Sequence, residues 1–170
     1  MKLFIASDIH GSALYCKQML DCFFREKADK TLLLGDILYH SPRNDLPDGY
    51  APREVIAMLN SLADKILCVR GNCEAEVDQM VLNFPCMADY AILEVNGLTL
   101  FATHGHHINP QNPPKMQGEY VLLNGHTHIP ACEEKNGFRY INPGSVSIPK
   151  EQSERGYIVL ENKTFIWKKL

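Results

Sequence analysis

Five short apolar runs in this chain each end at side chains able to hold a cation. Residues 2–7 lead into Asp8-Ile9-His10, 30–34 into Gly35-Asp36, and 65–69 into Gly71-Asn72. Residues 99–103 lead into His104-Gly105-His106, and 120–124 into Gly125-His126-Thr127-His128. Short apolar runs bounded by glycine and polar residues read as buried strands. In layered α/β folds the chemistry lies just beyond the carboxyl ends of such strands. A chain with five reactive strand exits is thereby constrained to bring those exits to one edge.

The stretches between the runs fit this plan. Ala13, Leu14, Cys16, Lys17, Met19, Leu20, Phe23 and Phe24 follow helical spacing between the first two strands. That is a β-α-β unit with a right-handed crossover. A second helix opens at Ala51-Pro52-Arg53-Glu54 and runs through Leu62, with proline in its first turn as helices prefer. Asn96-Gly97 and Asn136-Gly137 join residues 91–95 to 99–103 and 131–134 to 138–141 as hairpins, and Asn162-Lys163 joins 156–161 to 164–168. Helical units come first and a strand-rich meander second, within one domain spanning residues 1–170. The fold class expected is α/β, layered, with mixed sheets. Residues 38–50, broken by Pro42 and Pro47, form a long irregular stretch of the kind that often carries function.

Composition narrows the function classes. The net charge is −3 and no Lys/Arg block stands out, which argues against a dedicated nucleic-acid partner. No run approaches the ~20 apolar residues of a membrane span. The apolar start of the chain meets Asp8 and His10 too early for a signal peptide and reads as a strand. Six cysteines without a C-x-x-C pair fit free thiols in a reducing, cytoplasmic setting.

Residues two apart in an extended segment share a face, so Asp8 with His10 and His126 with His128 can converge. Singly, each motif is equally an ordinary strand exit, and Asp36 equally an Asx-turn or helix cap. Their conjunction is what carries weight: five of the seven histidines (10, 104, 106, 126 and 128) fall in three strand-exit motifs. A structural zinc site would want close-spaced cysteines, absent here. Mixed Asp/Asn/His donors suit Mn²⁺, Fe²⁺ or Zn²⁺ in an open catalytic site.

The ordered set D-x-H, G-D, G-N, H-G-H and G-H-x-H resembles the calcineurin-like metallophosphoesterases, in particular their small bacterial phosphodiesterase branch. The resemblance covers essentially the whole chain and includes residues 39–44 and Asn142-Pro143-Gly144-Ser145, a turn beneath the metals in that family. It implies an α/β/β/α sandwich. It also implies two divalent ions, Mn²⁺ foremost with Fe²⁺, Zn²⁺ or Ni²⁺ as alternatives. One ion would take Asp8, His10 and His128; the other would take Asn72, His104 and His126; Asp36 would bridge them. Two such ions against two carboxylates leave a site near +2. That charge suits a phosphodiester anion and a bridging hydroxide attacking in line, because metal coordination brings a water pKa from 15.7 towards ~7.

The chain departs from many family members at Cys73, which follows Asn72 where they carry histidine. A thiol is a poorer proton donor at neutral pH than an imidazolium. His106 is the nearest alternative acid, or equally a residue that orients a ligand. Arg43 is either a solvated loop charge or a phosphate clamp, since guanidinium matches phosphate oxygens in pairs. His40 and His107 fit a substrate rim. The leading expectation is a phosphodiesterase acting on a small diester. Its rivals are a non-catalytic scaffold of the kind found in the retromer subunit of this fold, a repair-type nuclease, and a phosphomonoesterase. The sequence leaves a homo-oligomer open.

Overall fold

The computed structural model describes all residues from Met1 to Leu170. In chain order the first half contains β1 (Leu3–Ala6), α1 (Ala13–Glu26), β2 (Lys30–Leu33), α2 (Pro52–Asn60), a 3-10 turn (Ala63–Lys65), β3 (Ile66–Cys68) and α3 (Glu76–Val81). Then follow β4 (Tyr90–Val95), β5 (Leu98–Thr103), β6 (Tyr120–Leu123), β7 (Ala131–Lys135), β8 (Phe138–Asn142), β9 (Gly156–Glu161) and β10 (Thr164–Lys169). Two five-stranded mixed sheets result, ordered β10-β9-β1-β2-β3 and β4-β5-β6-β8-β7.

Alternation along β1 builds two of the three cores. Leu3 and Ile5 point into the gap between the sheets, where they meet Leu32, Leu100, Val121 and Ile158. Phe4 and Ala6 point the other way, into a cluster with Cys16, Met19, Phe23, Val55 and Leu59 from the helices. Helix α1 starts at Ser12, whose hydroxyl accepts from the Tyr15 amide at 3.2 Å, and ends at Lys27 in the left-handed region at φ 52°.

The layered α/β class holds, with three departures in detail. The second sheet is no meander: β5, β6 and β8 run parallel, and only the edge strands β4 and β7 are antiparallel. Its outer face is covered by residues 104–119, with Ile108 and Met116 packed on Phe101, Tyr120, Leu122 and Tyr140, where a helix layer was expected. The last hairpin leaves that half and pairs with β1. The reason lies in β9, where Tyr157 and Val159 are buried on the helix side and Ile158 and Leu160 between the sheets, so the strand needs cover on both faces. Helix α3 carried no periodic apolar signal; Val77 and Met80 lie open to solvent, and the Asp78 carboxylate caps the Ala75 amide at 2.8 Å. No helix is long and apolar enough to cross a membrane.

Candidate metal centre

Because β5 and β6 run parallel, their carboxyl ends come to the same edge as those of β1, β2 and β3. Asp8 and His10 follow β1, Asp36 follows β2, Asn72 follows β3, His104 follows β5, and His126 and His128 follow β6. Five of these residues sit at positive φ: Asp8 at 60°, His10 at 49°, Asp36 at 54°, His126 at 64° and His128 at 62°. Side-chain-bearing residues held there cost about 1–3 kcal/mol each and gather at functional sites.

The strain is held in place by ladders and close approaches. The His10 and Gly11 amides donate to the Asp36 and Ile37 carbonyls at 2.9 and 2.8 Å, so the first two loops zip together beyond their strands. Both the Ser145 and Ser147 hydroxyls donate to the Asp8 carbonyl at 2.9 Å, which gives the turn after Asn142 its purpose. At Gly125 a Cβ would collide with Ser7 Oγ and Asp8 Oδ2, so only glycine lets the two loops approach.

Hydrogen bonds aim the imidazoles. The Nδ1 atoms of His10, His104 and His128 donate to the carbonyls of Tyr39, Leu34 and Ile148 at 2.7, 2.6 and 2.6 Å. A carbonyl can only accept, so each Nδ1 keeps its hydrogen and each Nε2 faces inward, the atom that offers a lone pair once deprotonated. His126 is turned the other way, with Nδ1 3.2 Å from His104 Nε2.

Two groups of donor atoms emerge. In one, His10 Nε2 and His128 Nε2 are 3.2 Å apart, and Asp8 Oδ1 lies 3.6 and 3.2 Å from them. In the other, His104 Nε2 lies 3.1 Å from Asn72 Oδ1 and 3.2 Å from His126 Nδ1. Asp36 Oδ2 joins both, 3.7 Å from His10 Nε2 and 3.4 Å from His104 Nε2, while its Oδ1 accepts the Cys73 amide at 2.9 Å. The residues fit cations on two counts. Asp8 Oδ1 is fully buried without a hydrogen-bond partner, and imidazole lone pairs facing at 3.2 Å repel unless a positive charge lies between them. Asp8, His10 and His128 could hold one ion, and Asp8, Asp36 and His104 form a further group of the right spacing.

Burial alone would raise the Asp8 and Asp36 carboxyls, but the facing imidazoles hold both below their ordinary range. Burial likewise opposes protonation of His104, yet Asp36 and Asp8 lift it to about 9. Such a centre exchanges protons for metal on binding.

The other expected residues divide. Cys73 is half-buried at the centre, its thiol within 4.8 Å of the His10 and Asp36 donor atoms, and burial followed by the Asp36 charge pushes that thiol up. His106 stands one ring away, 5.5 Å from His104 and 6.1 Å from His126; burial and then the charge of His104 bring it down to about 4. Arg43 lines a cavity of about 200 Å³ over Asp36, Asn72, His126 and His128. His40 does not line that cavity: its ring packs edge-on against Tyr39 and Tyr50. His107 stacks at 4.1 Å on His106.

Two residues escaped the sequence reading. Glu74, 4% exposed, accepts from the amides of Asp36, Ile37 and Gly71, and so ties the loop bearing Asp36 to the loop bearing Asn72. Burial, then the Asp36 charge, pushes its carboxyl up to about 7 against those three donors. Lys150 lines the same cavity as Arg43. An acid directly after the Gly71-Asn72-Cys73 motif was a usable local signal for Glu74; for Lys150 no local signal exists.

Paired mixed sheets with Asp, Asn and His donors gathered at their common strand ends define a metallophosphoesterase class of protein. A model of the calcineurin-like phosphoesterase superfamily domain matches residues 1–164, and the chain belongs to that superfamily. It is 46% identical over 162 residues to phosphodiesterase YfcE of Escherichia coli K12, a match covering 95% of this chain and 88% of that one. The solved structure of the E. coli phosphoesterase YfcE superposes with a TM-score of 0.93 at 43% identity, over 98% of this chain and 97% of that one. Vps29 of Entamoeba histolytica, solved with Zn²⁺, shares the fold, with a TM-score of 0.61 at 17% identity over 95% and 86%.

Proposed function

We propose that this chain is a metal-dependent phosphodiesterase, cytoplasmic, acting on a small diester through a centre of two divalent cations. In this reading Asp8, His10 and His128 would hold one ion, Asn72, His104 and His126 would hold the other, and Asp36 would serve both. The observation that carries it is Asp36 Oδ2, within 3.7 Å of one group of donor nitrogens and 3.4 Å of the other, with its sister oxygen committed to the Cys73 amide. The similarity to phosphodiesterase YfcE supports the reaction class. When bound, such a pair of ions supplies Lewis acidity and a nucleophile at neutral pH by lowering the pKa of a shared water.

The chain's own residues do the rest. Asn72 offers its amide oxygen inward because its Nδ2 donates to Cys73 Sγ at 3.2 Å. Cys73 stands beside the donor atoms of His10 and Asp36, and Arg43 meets the substrate from the wall of the cavity above them. His106, down at about 4, is a neutral imidazole at neutral pH, and adjacent cations would lower it further. A neutral imidazole is a poor source of the leaving-group proton, and the buried His106 Nδ1 has no hydrogen-bond partner. His40 packs its ring edge-on against that of Tyr39, the residue whose carbonyl aims His10.

The test is hydrolysis of bis-p-nitrophenyl phosphate by metal-stripped protein, with and without Mn²⁺, alongside metal counting. The expected result is Mn²⁺-dependent cleavage with two ions per chain. Asp36→Asn should lose at least about a hundredfold in activity, since even residues behind metal ligands cost 10–100-fold. Two bound ions without cleavage by any divalent metal would overturn the enzyme reading in favour of a scaffold.

A further inference from the structure

We propose that Arg43 and Lys150 form an anion subsite beside the metal centre, so that the substrate is a phosphodiester carrying a second phosphate. The inference rests on the phosphodiesterase reading above and specifies its substrate class.

The two side chains come from separate loops and line the same roughly 200 Å³ cavity over Asp36, Asn72, His126 and His128, and no apolar side chain lines it. Each is carried by a braced segment. Asn44 closes the turn around Arg43 by donating to the His40 carbonyl at 2.9 Å. The Lys150 amide donates to the His128 carbonyl at 3.3 Å, and its own carbonyl accepts the Ser153 hydroxyl at 2.7 Å. Neither cation is engaged in an ion pair: the ion pairs of the structure involve other residues.

Charge counting then asks what these cations are for. Two divalent ions against Asp8 and Asp36 leave +2, and a scissile diester with its nucleophile, one negative charge each, balances that. Arg43 and Lys150 add two positive charges to the same cavity, where Asp36 is the only acidic side chain. In a chain of net charge −3 this is a local excess. A terminal phosphate, with close to two charges at neutral pH, meets it, and Arg and Lys are the residues that bind phosphate. A second cavity of about 360 Å³ lies beyond His126, lined by Asn109, Gln111 and Tyr140 together with Glu133 and Lys135, and leaves room for the other arm of the same ester.

The test compares two p-nitrophenyl esters that share one scissile bond: that of thymidine 5′-phosphate and that of thymidine 3′,5′-bisphosphate, esterified at the 5′ position. With Mn²⁺-loaded protein, the bisphosphate ester should show a KM roughly tenfold lower, the scale of one charge-assisted contact. In the double variant Arg43→Gln/Lys150→Gln that ratio should fall to about one. Both side chains are exposed, so the fold is retained. Calorimetry gives a readout free of turnover: thymidine 3′,5′-bisphosphate should bind more tightly than thymidine 5′-phosphate, and the preference should vanish in the double variant. Equal KM values in the unsubstituted protein, or a preference that survives both substitutions, would overturn the subsite. If neither ester is cleaved, the phosphodiesterase reading fails, and the calorimetric preference alone decides whether the subsite stands.

Discussion

Behind Asp8, Asp36 and Asn72 stand two helices, α1 and α2, on a cluster of 24 buried residues, whereas the outer face of the sheet that carries His104, His126 and His128 has a cluster of four under an irregular segment. The donors differ with the packing. The helix-covered sheet presents both carboxylates, the Asn72 amide and one imidazole; the loop-covered sheet presents three imidazoles and no oxygen. Carboxylates that repel one another in a buried place need a stiff backing. Imidazoles can be fixed one at a time by a carbonyl, and His104 takes its carbonyl, Leu34, from the opposite sheet. The lightly packed half thus borrows rigidity from the heavily packed one.

Breaking the heavily packed half at Glu74 should have the largest effect. Glu74→Ala orphans three buried amides, at about 1–3 kcal/mol each, so urea unfolding should show a loss of about 4 kcal/mol and activity should fall about 10–100-fold. A loss under about 1 kcal/mol would mean the two loops hold together without it. The contrast itself is measured by paired truncations. Phe4, stacked on Tyr157 at 4.4 Å beneath the helices, should cost about 3–5 kcal/mol as Phe4→Ala. Phe101, stacked at 5.0 Å on the half-exposed Tyr90, should cost about half as much, and equal costs would erase the distinction.

The smallest effect is a pH dependence that ties the final hairpin to α1. Burial disfavours the Glu26 charge, but the Lys168 ammonium at 2.7 Å and the Tyr157 hydroxyl at 2.9 Å hold its carboxyl below the ordinary 4.5. A carboxyl lowered on folding stabilises fully above its unfolded pKa and loses that contribution as pH falls through the folded value. Glu26→Gln should therefore cost about 1 kcal/mol at neutral pH, Lys168 being partly exposed. The gap from the unsubstituted protein should close on acidification below the ordinary 4.5; a gap constant with pH would show that packing, not charge, is lost.

How much of this was legible in the sequence follows from how local each signal is. Strands and donors could be read together because each donor follows its strand within a few residues, and β-α-β geometry brings parallel ends to one edge. The sheet to which β9 belongs could not be read: its continuous apolar run suits any fully covered strand, and only tertiary closure selects β1 as its neighbour. Lys150 was invisible for the same reason. It reaches the cavity because the segment that anchors His128 through the Ile148 carbonyl also carries it there. Helix α3 is set by one capping carboxylate and not by periodicity.

The serine pair beneath Asp8 also sets a timetable. Ser145 and Ser147 lie 137 and 139 residues after the carbonyl they brace, and β1 waits for β9 before both its edges are paired. Closing so long a loop costs little extra equilibrium stability, because the entropy grows only with the logarithm of length, but it slows folding. On a ribosome the first donors emerge long before the turn that braces them, so the Asp8 loop gains its serine support only after residues 145–147 are available.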